Sequence, residues 1–152
     1  MILHNHPFLA GLPEALVDRL AEHAHPVTLA PDHRIFAEGA AADRFWLIEN
    51  GTVALDIQVP GRGTVVLETL GPWTVLGWSW LQPPYRWHFG AVARQTTVAT
   101  EFHAPEIRAL LAADPLLGYA LTSRFLPVIV DRLQAARLRL LDLYAAPAKA
   151  GS

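Results

Sequence analysis

The stretch GWSWLQPPYRWHF, residues Gly77 to Phe89, decides how this chain is read. It sets Trp78, Trp80 and Trp87, three of the five tryptophans, beside Arg86 and His88 around a rigid Pro83-Pro84 turn. Gly77 lets the backbone come close to a ligand. A short helical turn beginning near Trp78 would present unpaired N–H groups, which attract an anion without any side chain. Ser79 adds a hydroxyl donor, Leu81 an apolar neighbour, and Arg86 a bidentate grip for phosphate or carboxylate. The three indoles offer flat apolar faces to a base or another ring. Strand alternation puts His88 on the same side as Arg86, where it either hydrogen-bonds an anion or serves as a satisfied core histidine. The segment therefore reads in two ways: as the wall of a small-molecule pocket, or as tryptophans that fill a vestigial pocket themselves.

Working outward, short β-type runs lie on both sides. Val27 to Leu29, Phe45 to Ile48, Val53 to Ile57 and Val65 to Leu70 precede the segment; His88 to Ala93 and Thr96 to Phe102 complete the set. Asn50-Gly51 predicts a tight hairpin turn between two of these runs, and Pro60-Gly61-Arg62-Gly63 separates the next pair. Many short strands with Gly-rich turns favour an antiparallel β-roll, a closed barrel or jelly roll, over an α/β sheet. This β-region is expected over 26–102.

Helical patterns flank it. Residues 13–24 carry an apolar stripe of Leu16, Val17, Leu20 and Ala24, with Pro13 suited to the first turn. Residues 103–144 are expected to form a short helix, His103 to Ala113, and a long one, Leu116 to Tyr144, kinked or broken at Pro127. In the long helix Leu126, Ile129, Leu133, Ala136, Leu140 and Leu143 alternate at three- and four-residue spacings, an a/d seam widened by Leu138 and Leu141. A lone helix would expose too much leucine, so the seam is expected to pair two copies in a homodimer. The reading is one domain over 1–144 with a disordered tail over 145–152, AAPAKAGS, and no second domain after it.

Composition excludes several classes. Apolar residues make up 52% of the chain and charged residues 17%, which argues against disorder. The formal net charge is -2, so a concentrated phosphate-binding patch is not expected. Arg132, Arg137 and Arg139 are read as keeping the long helix soluble, and direct nucleic-acid binding is not expected. There is no cysteine, and the N-terminus has neither a basic leader nor an uninterrupted apolar span. A cytoplasmic protein that does not enter a membrane is the expectation.

Catalysis is not expected either. Ser79 lies in Gly-Trp-Ser-Trp-Leu rather than G-x-S-x-G, and Glu101 and Glu106 read as a strand-end and a helix-face carboxylate, not an acid/base pair. Seven histidines, among them His25 and His103, supply no recognisable three-ligand set by spacing. No metal or cofactor is expected, and a cupin-like metal-dependent enzyme is the enzymatic alternative.

The order helix, short strands, short helix, long helix resembles the cyclic nucleotide-binding domain of the CRP/FNR superfamily over about residues 6–144. HPFLAGLPEALVDRLAEHA is similar to its helical lead-in. Gly39 and Gly51, in IFAEGAAADRFWLIENGTVAL, fall where that family turns between strands. Gly71 and Gly77, in LGPWTVLGWSWL, are similar to the glycines around its phosphate-binding cassette. The resemblance implies a cassette that opens with Gly-Glu, the glutamate taking the ribose hydroxyl, and closes with an arginine for the cyclic phosphate. Here Gly77 keeps the glycine slot, Trp78 stands in the glutamate slot, and the arginine slot falls at Arg86 or Trp87. An indole has a donor and no acceptor, so Trp78 cannot replace the ribose-binding carboxylate. The resemblance implies a ligand-sensing regulatory domain without a DNA-reading module of its own, taking a cyclic nucleotide or another aromatic anion and acting through a partner protein. A dimeric scaffold with a filled pocket is the alternative.

Overall fold

The computed structural model describes residues 2–145. Its described residues place eight antiparallel strands in two four-stranded sheets. The first sheet has the order β1 (His25–Leu29), β8 (Thr97–His103), β3 (Arg44–Asn50), β6 (Val75–Leu76). The second has β2 (Arg34–Phe36), β7 (Gly90–Ala93), β4 (Val53–Val59), β5 (Gly63–Leu70). The β-roll expected from the sequence is thus present as two separate sheets, and hydrogen-bond pairing does not close them into a barrel.

Burial explains the strongest strands. β3 is covered on both faces: Phe45 stacks on Trp80 at 4.7 Å, while its neighbour Trp46 stacks on Phe36 of the other sheet at 5.7 Å. Both-sided burial turns an alternating pattern into the continuous run Phe45–Ile48.

The Asn50-Gly51 step is a correction. β3 and β4 do not pair, and the step carries the chain from one sheet to the other. Gly51 is needed there, because its φ is +108° and a Cβ would come within 2.6 Å of Thr97 Cα. The Pro60–Gly63 turn, by contrast, does join a paired hairpin, β4 with β5.

Helices α1 (Ile2–Asn5) and α2 (Glu14–Ala21) precede the roll. Pro13 lies just outside α2 as its N-cap, with Leu16, Val17 and Leu20 buried beneath. After the roll come α3 (Ala104–Ala113) and α4 (Pro115–Ala145). The latter runs unbroken through Pro127, which is exposed. Solvent can take the carbonyl that its missing N–H leaves free, so no break is required. Ala145 closes α4, and the rest of the expected tail lies outside the described residues. No helix among the described residues is long and apolar enough to cross a membrane.

The arginines of α4 differ from expectation. Arg132 donates to the Val75 carbonyl at 2.7 Å and faces Glu68 at 3.7 Å; Arg139 donates to the Val66 carbonyl at 3.1 Å. They hold the helix on the roll, while Arg137 faces solvent. The apolar seam divides accordingly. Ile129, Ala136, Leu140 and Leu143 are half-buried on the roll side, whereas Leu126, Leu133, Leu138 and Leu141 remain exposed together with Val130.

Candidate functional site

Gly77 to Phe89 leaves β6 and folds back toward β7. Gly77 has φ +98°, and a Cβ there would lie 3.0 Å from the Trp87 ring, so only glycine suits both the backbone and the close approach. Ser79–Leu81 forms a single three-residue 3-10 turn, and the Pro83-Pro84 peptide is cis.

The structure separates the three tryptophans. Trp80 is fully buried beneath α3 and α4, stacked on Phe45 and edge-on to Phe125 at 5.4 Å. Its carbonyl accepts from Arg108 at 2.8 Å. Trp87 is buried inside the roll, stacked on Phe36 at 3.7 Å. Only Trp78 faces a cavity while stacking on the His88 ring, with centroids 4.5 Å apart.

Ser79 and His88 hold the segment together. The His88 backbone N–H donates to Ser79 Oγ at 3.4 Å, and Ser79 Oγ lies 2.9 Å from His88 Nδ1. Ser79 Oγ thus has His88 as its partner on both contacts, whichever tautomer the ring carries. Arg86 and His88 are exposed and Trp87 and Phe89 buried, so the expected alternation holds. Arg86 nonetheless extends away from the cavity, pairing through its backbone with Ala41 and reaching the Gly39 carbonyl at 3.4 Å. Of the two residues at the arginine slot, the inward one is an indole.

The cavity measures about 360 Å³, within the range of small-molecule sites. The roll contributes Leu55, Ile57, Leu67 and Glu68, the cassette segment Trp78, His88 and Phe89, and α4 the rest: Ile129, Arg132, Leu133 and Ala136. Its walls are apolar except at the Glu68–Arg132 pair and His88. Burial lowers the Arg132 pKa, with the Glu68 and Asp131 charges opposing it. Two buried atoms near this wall, Glu68 Oε1 and Trp78 Nε1, have no hydrogen-bond partner among the described residues. Leu81 lines a neighbouring cavity of about 340 Å³, shared with Trp78, Leu126 and Ile129.

A family model described as the cyclic nucleotide-binding domain matches residues 26–114. The chain belongs to the cyclic nucleotide-binding domain family. Its fold is similar to a cyclic nucleotide-binding protein from Geobacter metallireducens, at 23% identity and TM-score 0.77, covering 87% of this chain and 96% of that one. A cyclic nucleotide-binding domain from Methylobacillus flagellatus is similar at 20% identity and TM-score 0.78, covering 93% and 79%. The Thermus thermophilus catabolite activator protein is similar at 26% identity and TM-score 0.69, covering 91% of this chain and 63% of that one. No curated protein matches.

Within this family member, sequence reasoning missed Glu68 and Arg132 as wall residues and read Ile129, Leu133 and Ala136 only as a pairing seam. No local signal marks a strand residue before the cassette and helix residues well after it as facing one cavity. It also missed two groups of three metal-capable side chains that the fold assembles, His25 with His103 and Glu106, and His4 with Glu14 and Asp18.

Proposed function

We propose that this cyclic nucleotide-binding domain is a non-catalytic sensor of a small aromatic molecule, held between the roll and α4. The observation that carries this reading is the shared cavity: four of its wall residues belong to α4, so occupancy bears directly on the helix that leaves the roll. A planar ring would lie against Trp78 and Leu55, with its polar edge toward the Glu68 carboxylate. The purine of a cyclic nucleotide suits that description. Its phosphate, or the charge of another aromatic anion, would then fall to Arg132, since Arg86 points elsewhere. Gly77, Ser79, Trp80, Leu81 and Trp87 support the wall rather than touch the ligand.

Calorimetric titration with cAMP and cGMP tests this. Arg132→Ala is expected to weaken binding at least tenfold and Arg86→Ala to leave it nearly unchanged. The opposite order would return the clamp to Arg86. A second reading, a dimeric scaffold, is favoured by Trp80 and Trp87, which fill their own surroundings; absence of binding by any aromatic anion would establish it.

Output would pass through α4 and a partner protein in the cytoplasm, without direct nucleic-acid contact, in keeping with the net charge of -2. The solvent-facing part of the seam, Leu126, Leu133, Leu138 and Leu141, with Val130 exposed beside it, supports a homodimer. Val130 lines none of the cavities described above, so Val130→Glu should yield monomers by light scattering without altering ligand affinity. A dimeric mass kept by the variant would overturn this face as the interface, and a monomeric mass of the unmutated chain would overturn the homodimer.

A further inference from the structure

Away from the cavity, strand pairing gathers a second set of polar side chains. His25 opens β1 directly opposite Glu101 on β8. His103 lies two residues further along β8 and therefore on the same face as Glu101. Glu106 stands in the first turn of α3, three residues beyond His103. The two imidazoles stack with centroids 4.5 Å apart and an interplanar angle of 16°. Glu106 Oε2 is 3.6 Å from His103 Nδ1 and 4.0 Å from His25 Nε2, and the three donor atoms all fall within 4.8 Å of one another.

A second observation concerns orientation. His103 Nε2 lies 3.2 Å from Glu101 Oε2, and Glu101 is buried at 8% exposure. The carboxylate accepts the Nε2 proton, which selects the tautomer whose Nδ1 lone pair is free on the side of Glu106. Histidines that ligate metals commonly carry such a carboxylate behind them, fixing both tautomer and ring direction.

We propose that His25, His103 and Glu106 form a binding site for a borderline divalent transition-metal ion, Zn²⁺ above others, with Glu101 as the positioning residue for His103. Two imidazoles and one carboxylate are donors that zinc takes at about 2.0–2.2 Å, leaving a fourth position to solvent. Tetrahedral donors at that distance sit roughly 3.3 Å apart. Bringing the donors onto one ion requires side-chain rotation that opens the parallel His25–His103 stack, and the three side chains have room for it, being nearly half exposed at 47%, 45% and 47%. A single carboxylate in the ligand set is a poor cage for Mg²⁺ or Ca²⁺, which require six or more oxygens. The neighbouring cation, Arg44, is engaged by Glu101 at 3.4 Å and by Asp43 at 3.7 Å. The other three-donor group offers one imidazole only, from His4, already paired with Asp18 at 2.8 Å. A metal at the first site would tie β1, β8 and the start of α3 into one unit.

The test is titration of chelator-stripped full-length protein with ZnCl₂ by calorimetry, with MgCl₂ as control, and with Co²⁺ followed by visible absorption. One Zn²⁺ per chain, no Mg²⁺ uptake, a chelator-reversible rise in Tm and tetrahedral Co²⁺ bands are expected. His25→Gln and Glu106→Gln alter exposed side chains and leave folding intact; each should weaken zinc at least tenfold. Glu101→Gln, which touches no metal, should weaken it by about 10–100-fold and shift the Co²⁺ spectrum. Absence of zinc binding, or zinc binding that His25→Gln leaves unchanged, overturns the site.

Discussion

Glu101 on β8 and Glu68 on β5 are carboxylates of the same roll, one in each sheet, and their surroundings are opposite. Glu101 accepts from Trp46 Nε1–H at 2.9 Å, pairs with His103 at 3.2 Å and accepts from Arg44 at 3.4 Å. Glu68 faces one cation, Arg132 at 3.7 Å, and its buried Oε1 meets no donor among the described residues. Burial pushes the Glu101 pKa up, but the Trp46 hydrogen bond, the Arg44 charge and the His103 contact outweigh it and hold the carboxyl below its ordinary value. A fully satisfied network fixes one arrangement of the strands. A buried oxygen left without a donor leaves the wall of the cavity with an unmet acceptor and no single arrangement fixed.

The largest expected effect separates the two directly. Glu101→Ala strands the buried Trp46 N–H and removes the partner of His103, while the half-exposed Arg44 keeps Asp43 and solvent; it should cost about 2–3 kcal/mol in urea denaturation. Glu68→Ala should cost less, about 1–2 kcal/mol: Arg132, whose side chain is only 12% exposed, loses its carboxylate partner but keeps the Val75 carbonyl. Equal losses would erase the distinction. The sign with pH follows from the depressed Glu101 value. Its stabilisation is complete above the ordinary carboxyl pKa of 4.5 and is lost as pH falls through the lower folded value. Glu101→Gln should therefore flatten the acid limb of the stability profile.

A smaller effect extends the contrast to His6, which is satisfied in the manner of Glu101. Its Nε2–H donates to the Ile48 carbonyl at 3.0 Å, and its Nδ1 accepts from the Phe8 N–H at 3.2 Å, so the ring is held neutral at 1% exposure. Burial lowers its pKa, the backbone partners Ile48 and Thr74 and the Glu49 charge offsetting only part of that. Folded and unfolded states differ in protons bound below pH 6.5, so this contribution is whole above 6.5 and lost as pH falls through the folded value. His6→Gln should remove that slope between about pH 6.5 and the acid limb, measured by Tm against pH. A slope unchanged in the variant would show that His6 is not held neutral.

What the sequence disclosed follows the range of the interactions. The runs Phe45–Ile48, Val53–Ile57 and Val65–Leu70 and the β4–β5 turn were legible because composition and turn chemistry act within a few residues. The expected Asn50-Gly51 hairpin failed because a glycine turn announces a change of direction but not which strand is met next. Cassette glycines and the Arg86/Trp87 alternation were visible; that the inward residue is the indole, and that Ser79 is taken by His88, needed the fold. The α4 faces were blurred because roll-facing and solvent-facing leucines are interleaved at similar spacing. His25, His103 and Glu106 could not be joined by spacing, since β1 meets β8 only through pairing between residues 68 to 76 positions apart.

The smallest stability effect is the sharpest test of the contrast, because two indoles share the same defect in different places. Trp78 Nε1 and Trp80 Nε1 are both buried without a partner. Trp78 lines the cavity, whereas Trp80 is sealed between Phe45 and Phe125, where stacking offsets the cost of its unpaired N–H. Phenylalanine removes the donor at either site while keeping an aromatic face. Trp80→Phe loses contact area but also an unsatisfied group, so stability should change by no more than about 1 kcal/mol, with ligand affinity unaltered. Trp78→Phe should leave stability within about 0.5 kcal/mol and weaken aromatic ligand binding severalfold, because the lost N–H is one the ligand would have engaged. If both variants behave alike toward ligand, an unpaired donor at the wall has no bearing on recognition, and stacking on Trp78 accounts for binding by itself.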